Sequence, residues 1–126
     1  MTFNTEAPDP CNVLDAGALA RLAELDPEGS AGLVQRVLST YANALERSRQ
    51  ELTMVRQPLQ QEPLRHLAHT LKSSSASVGA LALSALCAQV EQNVRAPQPG
   101  DIDTLLDAMQ AEMQRVSGAV QAMLRG

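Results

Sequence analysis

Residues 64–78 read LRHLAHTLKSSSASV, a stretch in which apolar side chains recur at the spacing of an α-helix. Each residue of an α-helix turns by about 100°, so side chains three and four positions apart share one face. A stripe of this kind on a helix faces a hydrophobic core. The stripe consists of Leu64, Leu67, Ala68, Leu71, Ser75 and Val78. The stretch therefore predicts an amphipathic helix.

The same spacing continues on both sides of this stretch, interrupted by short segments rich in proline and glycine. Asp15 is a good N-cap for a short first helix. Pro63 suits the first turn of the helix that carries the opening stretch, and Gly79 suits its C-terminal end. The predicted helices lie near residues 15–25, 30–56, 63–79, 80–95 and 101–124.

The composition favours an all-α fold. Of the 126 residues, 44% are hydrophobic and only 2% are aromatic. A core must then be built from Ala, Leu, Val and Met, which favour helices over sheets. Four long amphipathic helices with short links pack most simply as an antiparallel up-down-up-down four-helix bundle, with the short first helix laid across one end. The methionines at 54, 109, 113 and 123 are predicted to be core residues.

We expect one helical domain over residues 14–126, preceded by a flexible tail over residues 1–13, which are polar and aperiodic. Cys11 lies in that tail and Cys87 in an apolar stripe, so we expect no disulfide between them and a core position for Cys87. The opening residues lack a secretory signal, and no apolar run is long enough to span a membrane. The expected location is the cytoplasm, without membrane association.

The charge indicates the kind of partner. A net charge of −4 argues against nucleic-acid binding, because affinity for the phosphate backbone rests on clustered Lys and Arg. The sequence also lacks a Gly-rich phosphate loop, a paired-Cys metal pattern and a Gly-x-Ser-x-Gly elbow, so the common enzyme classes with such motifs lose support. A protein partner is favoured.

His69 is the candidate functional residue. On the helical wheel it lies roughly 150° from the centre of the apolar stripe, so its Nε2 should be exposed. Arg65, Lys72 and Ser73 are its neighbours one turn away. An uncrowded imidazole beside a cation suits a phosphoryl acceptor, because attack must occur in line and the product gains negative charge.

Two other interpretations of this histidine remain open. A lone histidine on a helix surface is ordinarily a solvated residue without a specific function. Alternatively, Glu62, His66 and His69 resemble part of a helix-borne metal site, although the sequence offers no obvious fourth ligand and structural zinc usually has four.

A longer pattern around His69 resembles a known family. The segment 68–80 reads AHTLKSSSASVGA, and Leu83, Cys87 and Glu91 follow it. It is similar to the histidine-containing phosphotransfer (HPt) domain of bacterial two-component phosphorelays. That family has the pattern A-H-x-L-K-G-S, then a Gly-Ala pair, then a leucine, commonly a cysteine, and an acidic or amide residue on the next helix. The resemblance extends over essentially residues 13–124.

The resemblance implies a role for each matching residue. His69 matches the histidine that accepts a phosphoryl group from a receiver-domain aspartate and passes it to another receiver. Lys72 matches the basic residue that supports the phosphoryl oxygens, and Gly79 matches the glycine at the turn into the next helix. Glu91 falls where some relatives place a polar side chain close to the histidine.

The resemblance also implies what the protein binds. Its partners would be response-regulator receiver domains, those of a hybrid sensor histidine kinase and of a downstream regulator, and the protein itself would be a monomeric phosphocarrier rather than an enzyme. It would hold no cofactor or metal, since the receiver supplies the magnesium. Arg65 and Lys72 would then guide an acidic receiver pocket towards His69. Otherwise they are ordinary solvated charges.

One residue departs from the family pattern. Ser73 occupies the position after the lysine where the family usually has glycine. Its hydroxyl would either hydrogen-bond Nδ1 of His69 and orient the ring, or crowd a docking receiver. This departure keeps open a second function, that of a module of the same fold which binds a receiver or another protein without carrying phosphate.

Overall fold

The computed structural model describes residues 13–30, 32–96 and 102–125. Within these ranges the chain forms five α-helices and no β-strand. The helices are α1 (Ala16–Glu24), α2 (Leu33–Arg56), α3 (Gln61–Ser77), α4 (Leu81–Arg95) and α5 (Ile102–Arg125). The predicted all-α fold, a four-helix bundle with a short additional N-terminal helix, is confirmed.

The four long helices form a closed bundle. Each of α2, α3 and α4 packs against the next helix, α5 returns to α2, and α1 contacts α2. The links at residues 57–60 and 78–80 are so short that the helices they join run antiparallel. In the part of the chain that the structure describes, no helix combines the length and apolarity that a membrane crossing requires.

The predicted flexible tail, residues 1–13, lies outside the described residues except for its last member. Val13 is buried with Leu14 in the hydrophobic core. The packed domain therefore includes Val13, one residue before the predicted boundary.

The core contains the stripe that the opening stretch predicts. All six stripe residues of residues 64–78 are buried. Ser75 is the polar member, and its hydroxyl lies 2.8 Å from the hydroxyl of Tyr41 on α2, so each buried group satisfies the other. Cys87 is also buried, as predicted, and burial raises the pKa of its thiol to about 12. This thiol stays protonated and acts as a small core side chain.

The methionine predictions hold on α5 but not on α2. Met109 and Met113 are buried, and Met123 packs partly buried against the core. Met54 is 69% exposed, so its assignment to the core is wrong. The neighbours Leu52 and Val55 take the inward positions of that turn, and Met54 is therefore rotated towards solvent.

A three-residue turn fixes α4 beside α3. The amide of Gly79 donates to Ala76 O at 3.1 Å and the amide of Ala80 donates to Ser75 O at 2.8 Å, which is the Schellman arrangement for ending a helix. Gly79 has a φ of +86°, which favours glycine. Its carbonyl accepts from the amide of Asp15 at 2.7 Å, so the same turn also attaches the start of α1.

Candidate functional site

His69 lies on the outer surface of α3, away from the buried stripe. Its side chain is 59% exposed, in agreement with the position that the helical wheel predicts. Ser73, one turn further along α3, is also exposed. The imidazole therefore lies on an open surface where a second protein could reach it.

A carboxylate on the neighbouring helix holds one edge of this imidazole. Glu91 Oε2 lies 2.8 Å from His69 Nδ1, and Glu91 Oε1 accepts a hydrogen bond from Lys72 Nζ at 2.8 Å. The Glu91 side chain is only 5% exposed, so both hydrogen bonds are partly shielded from water. One buried carboxylate thus joins His69 and Lys72.

The charge on Glu91 determines which ring nitrogen is reactive. The Lys72 ammonium holds the pKa of Glu91 below its ordinary value; burial opposes this effect, and the hydrogen bond with His69 adds to it. An ionised carboxylate only accepts hydrogen bonds, so the proton of the neutral imidazole must lie on Nδ1. The lone pair is then on Nε2, the nitrogen that does not face Glu91.

The packing of α4 explains why Glu91 reaches the histidine. Leu83, Cys87 and Val90 form the buried stripe of α4, and Glu91 lies at the edge of that stripe next to α3. Ser84 strengthens the alignment of the two helices, because its hydroxyl donates to the carbonyl of Lys72 at 2.9 Å. The turn at Gly79 and this bond together set the register that brings Glu91 to His69.

Both cations predicted to flank His69 have an acidic partner within the protein. Lys72 pairs with Glu91, and Arg65 Nε lies 3.1 Å from Glu62 Oε1 on its own helix. The hydrogen bond from Arg65 lowers the pKa of Glu62. The positive charge that the sequence predicts at Arg65 and Lys72 is therefore largely neutralised by these two carboxylates.

The structure bears on two alternatives that the sequence left open. The partner of Nδ1 is Glu91 and not the Ser73 hydroxyl, so of the two outcomes open for Ser73 the structure does not show the one in which its hydroxyl orients the ring. The metal interpretation lacks support, because residues 13–30, 32–96 and 102–125 contain no group of three or more His, Cys, Asp or Glu side chains that could hold a metal ion. Glu62 instead binds Arg65.

Sequence reasoning missed two residues at this site. Ser84 contacts the backbone of Lys72, and Arg95 Nη2 lies 3.7 Å from Glu91 Oε2. Their positions relative to Glu91, seven residues before it and four residues after it, place all three on one face of α4. This spacing is the signal that could have identified them.

The comparisons with known proteins agree with this geometry. The sequence model of the Hpt domain matches residues 32–119, a range that contains every site residue described above. Among solved structures, the chain is similar to histidine-containing phosphotransfer protein B (HptB) from Pseudomonas aeruginosa PAO1. The TM-score is 0.77 and the sequence identity 25%, and the match covers 90% of this chain and 95% of that protein. No curated protein shows significant similarity to the chain. With its helical bundle and an Hpt match over most of its length, the chain belongs to the Hpt domain family.

Proposed function

We propose that this protein is a histidine phosphotransfer protein of a two-component phosphorelay. It accepts a phosphoryl group on Nε2 of His69 from the aspartate of one receiver domain and passes it to another. The observation that carries the proposal is the pairing of an exposed imidazole with a buried carboxylate at Nδ1, 2.8 Å away. Membership of the Hpt family supports the same function.

The proposed transfer follows from the state of the ring. The Nε2 lone pair attacks phosphorus, the P–O bond to the receiver aspartate breaks, and its electron pair returns to the aspartate carboxylate. The imidazole then becomes cationic while the proton remains on Nδ1. The Glu91 carboxylate stabilises this developing charge because it lies directly at Nδ1–H. Transfer to the next aspartate breaks the P–N bond and restores the neutral ring.

The neighbouring residues have supporting roles in this proposal. Lys72 supports the phosphoryl oxygens, and Arg65 and Ser73 lie on the face that docks a receiver. The chain needs no cofactor of its own, because magnesium enters with the receiver. It acts as a monomeric phosphocarrier in the cytoplasm, between the receiver of a hybrid sensor histidine kinase and that of a downstream regulator.

The second candidate is a module of the same fold that binds a receiver without carrying phosphate, and Ser73 on the exposed face favours it. Incubation with a radiolabelled phosphorylated receiver separates the two functions. Label on the protein that is lost in acid and kept in alkali supports the phosphocarrier. Tight binding of the receiver without any transfer of label supports the module.

Replacement of Glu91 by Gln should slow labelling of His69 by roughly ten- to a hundredfold, since a hydrogen bond to a charged group contributes about 1.5–3 kcal/mol. The amide keeps the shape of the side chain but removes the negative charge that faces Nδ1–H. Labelling rates measured with phosphoramidate, a small phosphoryl donor, test this without any receiver.

The matched control for Glu91→Gln is Glu112→Gln. Glu112 is another largely buried glutamate, and it pairs with Arg115 on α5 at 3.5 Å instead of with His69. This control should label at the wild-type rate. Equal rates for wild type and Glu91→Gln would show that the carboxylate has no part in the transfer.

Replacement of Ser73 by Leu should separate docking from chemistry. The larger side chain crowds a receiver approaching His69, and steric overpacking of about 1–3 kcal/mol corresponds to a slowing of roughly five- to a hundredfold in transfer from the receiver. Labelling by phosphoramidate should be unchanged, because that donor is small. Ser73→Gly is the control and should retain both reactions. Normal receiver transfer in Ser73→Leu would remove Ser73 from the docking face.

A further inference from the structure

A second cation, besides Lys72, faces the carboxylate that holds His69. Arg95 Nη2 lies 3.7 Å from Glu91 Oε2, too far for a hydrogen bond, while Lys72 Nζ occupies Oε1 at 2.8 Å. The Arg95 side chain lies one turn beyond Glu91 on α4 and is 71% exposed, so it is free to change rotamer. Glu91 therefore has one bound cation and one cation close by.

Lys72 has two incompatible tasks at this site. It stabilises Glu91 in the structure, and under the proposed function, on which this inference rests, it also supports the phosphoryl group on His69. A phosphoryl group carries roughly two negative charges near neutral pH and attracts the ammonium strongly. When Lys72 turns to the phosphoryl oxygens, Oε1 of a nearly buried carboxylate loses its cation, which is costly.

We propose that Arg95 is a positioning residue that replaces Lys72 at Glu91 when His69 is phosphorylated. A movement of about 1 Å brings its guanidinium from 3.7 Å to within hydrogen-bond distance of Oε2, where its charge replaces that of Lys72 beside the carboxylate. Oε2 can accept from Arg95 and from Nδ1 of His69 together, because a carboxylate oxygen has more than one lone pair. Arg65, the other arginine whose charge acts on Glu91, is held by Glu62 at 3.1 Å and is less available.

Labelling by phosphoramidate tests this exchange. Because a partly exposed ion pair contributes about 0.2–1 kcal/mol, Arg95→Gln should slow labelling roughly two- to fivefold. Arg95→Lys, which keeps the charge, should restore most of the rate. Arg115→Gln is the matched control, since Arg115 pairs with the largely buried Glu112 at 3.5 Å, and it should label like wild type. In a Glu91→Gln background the effect of Arg95→Gln should disappear.

The guanidinium NMR signal of Arg95 gives a readout that a purely structural role would not change. It should shift when the wild-type protein is phosphorylated, and in Lys72→Met it should be shifted before phosphorylation. The inference is overturned if the wild-type protein labels normally, its Arg95 guanidinium signal does not shift and Arg95→Gln labels at the wild-type rate. That result leaves the proposed function intact. Failure of the wild-type protein to acquire label from phosphoramidate or a phosphorylated receiver overturns both.

Discussion

The His69→Gln variant should acquire no phosphoryl label from a phosphorylated receiver under conditions that label the wild-type protein fully. Glutamine keeps a polar side chain of similar length at the surface but has no nucleophilic ring nitrogen, so no P–N bond can form. The loss should be complete rather than partial, because every other site residue acts through this nitrogen. Gel autoradiography after acid and alkali treatment measures the label.

His66→Gln is the matched control for this experiment. His66 is also exposed on α3, but the sequence resemblance and the contact with Glu91 both single out His69. The control should label like wild type. Label that persists in His69→Gln, or that disappears in His66→Gln, would place the phosphoryl acceptor elsewhere.

Gly79→Ala should destabilise the protein by about 3 kcal/mol, the largest stability effect we expect. A Cβ at this position would lie 2.7 Å from the amide nitrogen of Asp15 and 2.8 Å from its carbonyl oxygen. Both atoms belong to the backbone, so no side-chain rotation relieves the overlap, which costs about 1–3 kcal/mol. The φ of +86° adds roughly 1–2 kcal/mol for a residue with a side chain. Urea unfolding monitored by circular dichroism measures the change.

Gly29→Ala separates these two causes. Gly29 has a φ of +72°, and a Cβ there would meet nothing within 4 Å. This variant should lose only about 1 kcal/mol, the conformational part alone. Equal losses at the two glycines would mean that the approach of Asp15 to the α3–α4 turn contributes nothing to stability.

Much of the fold could be predicted because it depends on local patterns. The periodicity of residues 64–78 identified the inward face of α3, and Gly79 marked its end. The start of α2 was less accurate, since the helix begins at Leu33 instead of near Ser30, whereas Pro63 lies in the first turn of α3 as predicted. The start of a helix depends on capping contacts. At the start of α2 the amide of Leu33 donates to the carboxylate of Asp26 at 3.2 Å, and a contact between residues seven positions apart is not evident from the local pattern.

The candidate site was only partly predictable, because its key contacts join different helices. The helical wheel predicted that His69 is exposed, because that prediction needs only the sequence of α3. The resemblance placed Glu91 near the histidine, but it did not indicate that the same carboxylate also binds Lys72. The contacts of Glu91 on α4 with His69 and Lys72 on α3 depend on how the two helices are aligned, and the turn at Gly79 fixes that alignment. For this reason the flanking lysine was predicted as an open positive charge, whereas the structure shows it paired.

The atom to which phosphorus is bonded tests the central claim most directly. Phosphorus and nitrogen NMR of the protein labelled on its histidines with ¹⁵N and phosphorylated by a receiver identifies that atom. Glu91 Oε2 lies 2.8 Å from Nδ1 of His69 and keeps the proton of the ring on Nδ1. We therefore predict a single phosphohistidine, with phosphorus on Nε2 of His69. Phosphorus on Nδ1 of His69, or on His66, would contradict the assignment of Glu91 as the group that presents Nε2 to the receiver.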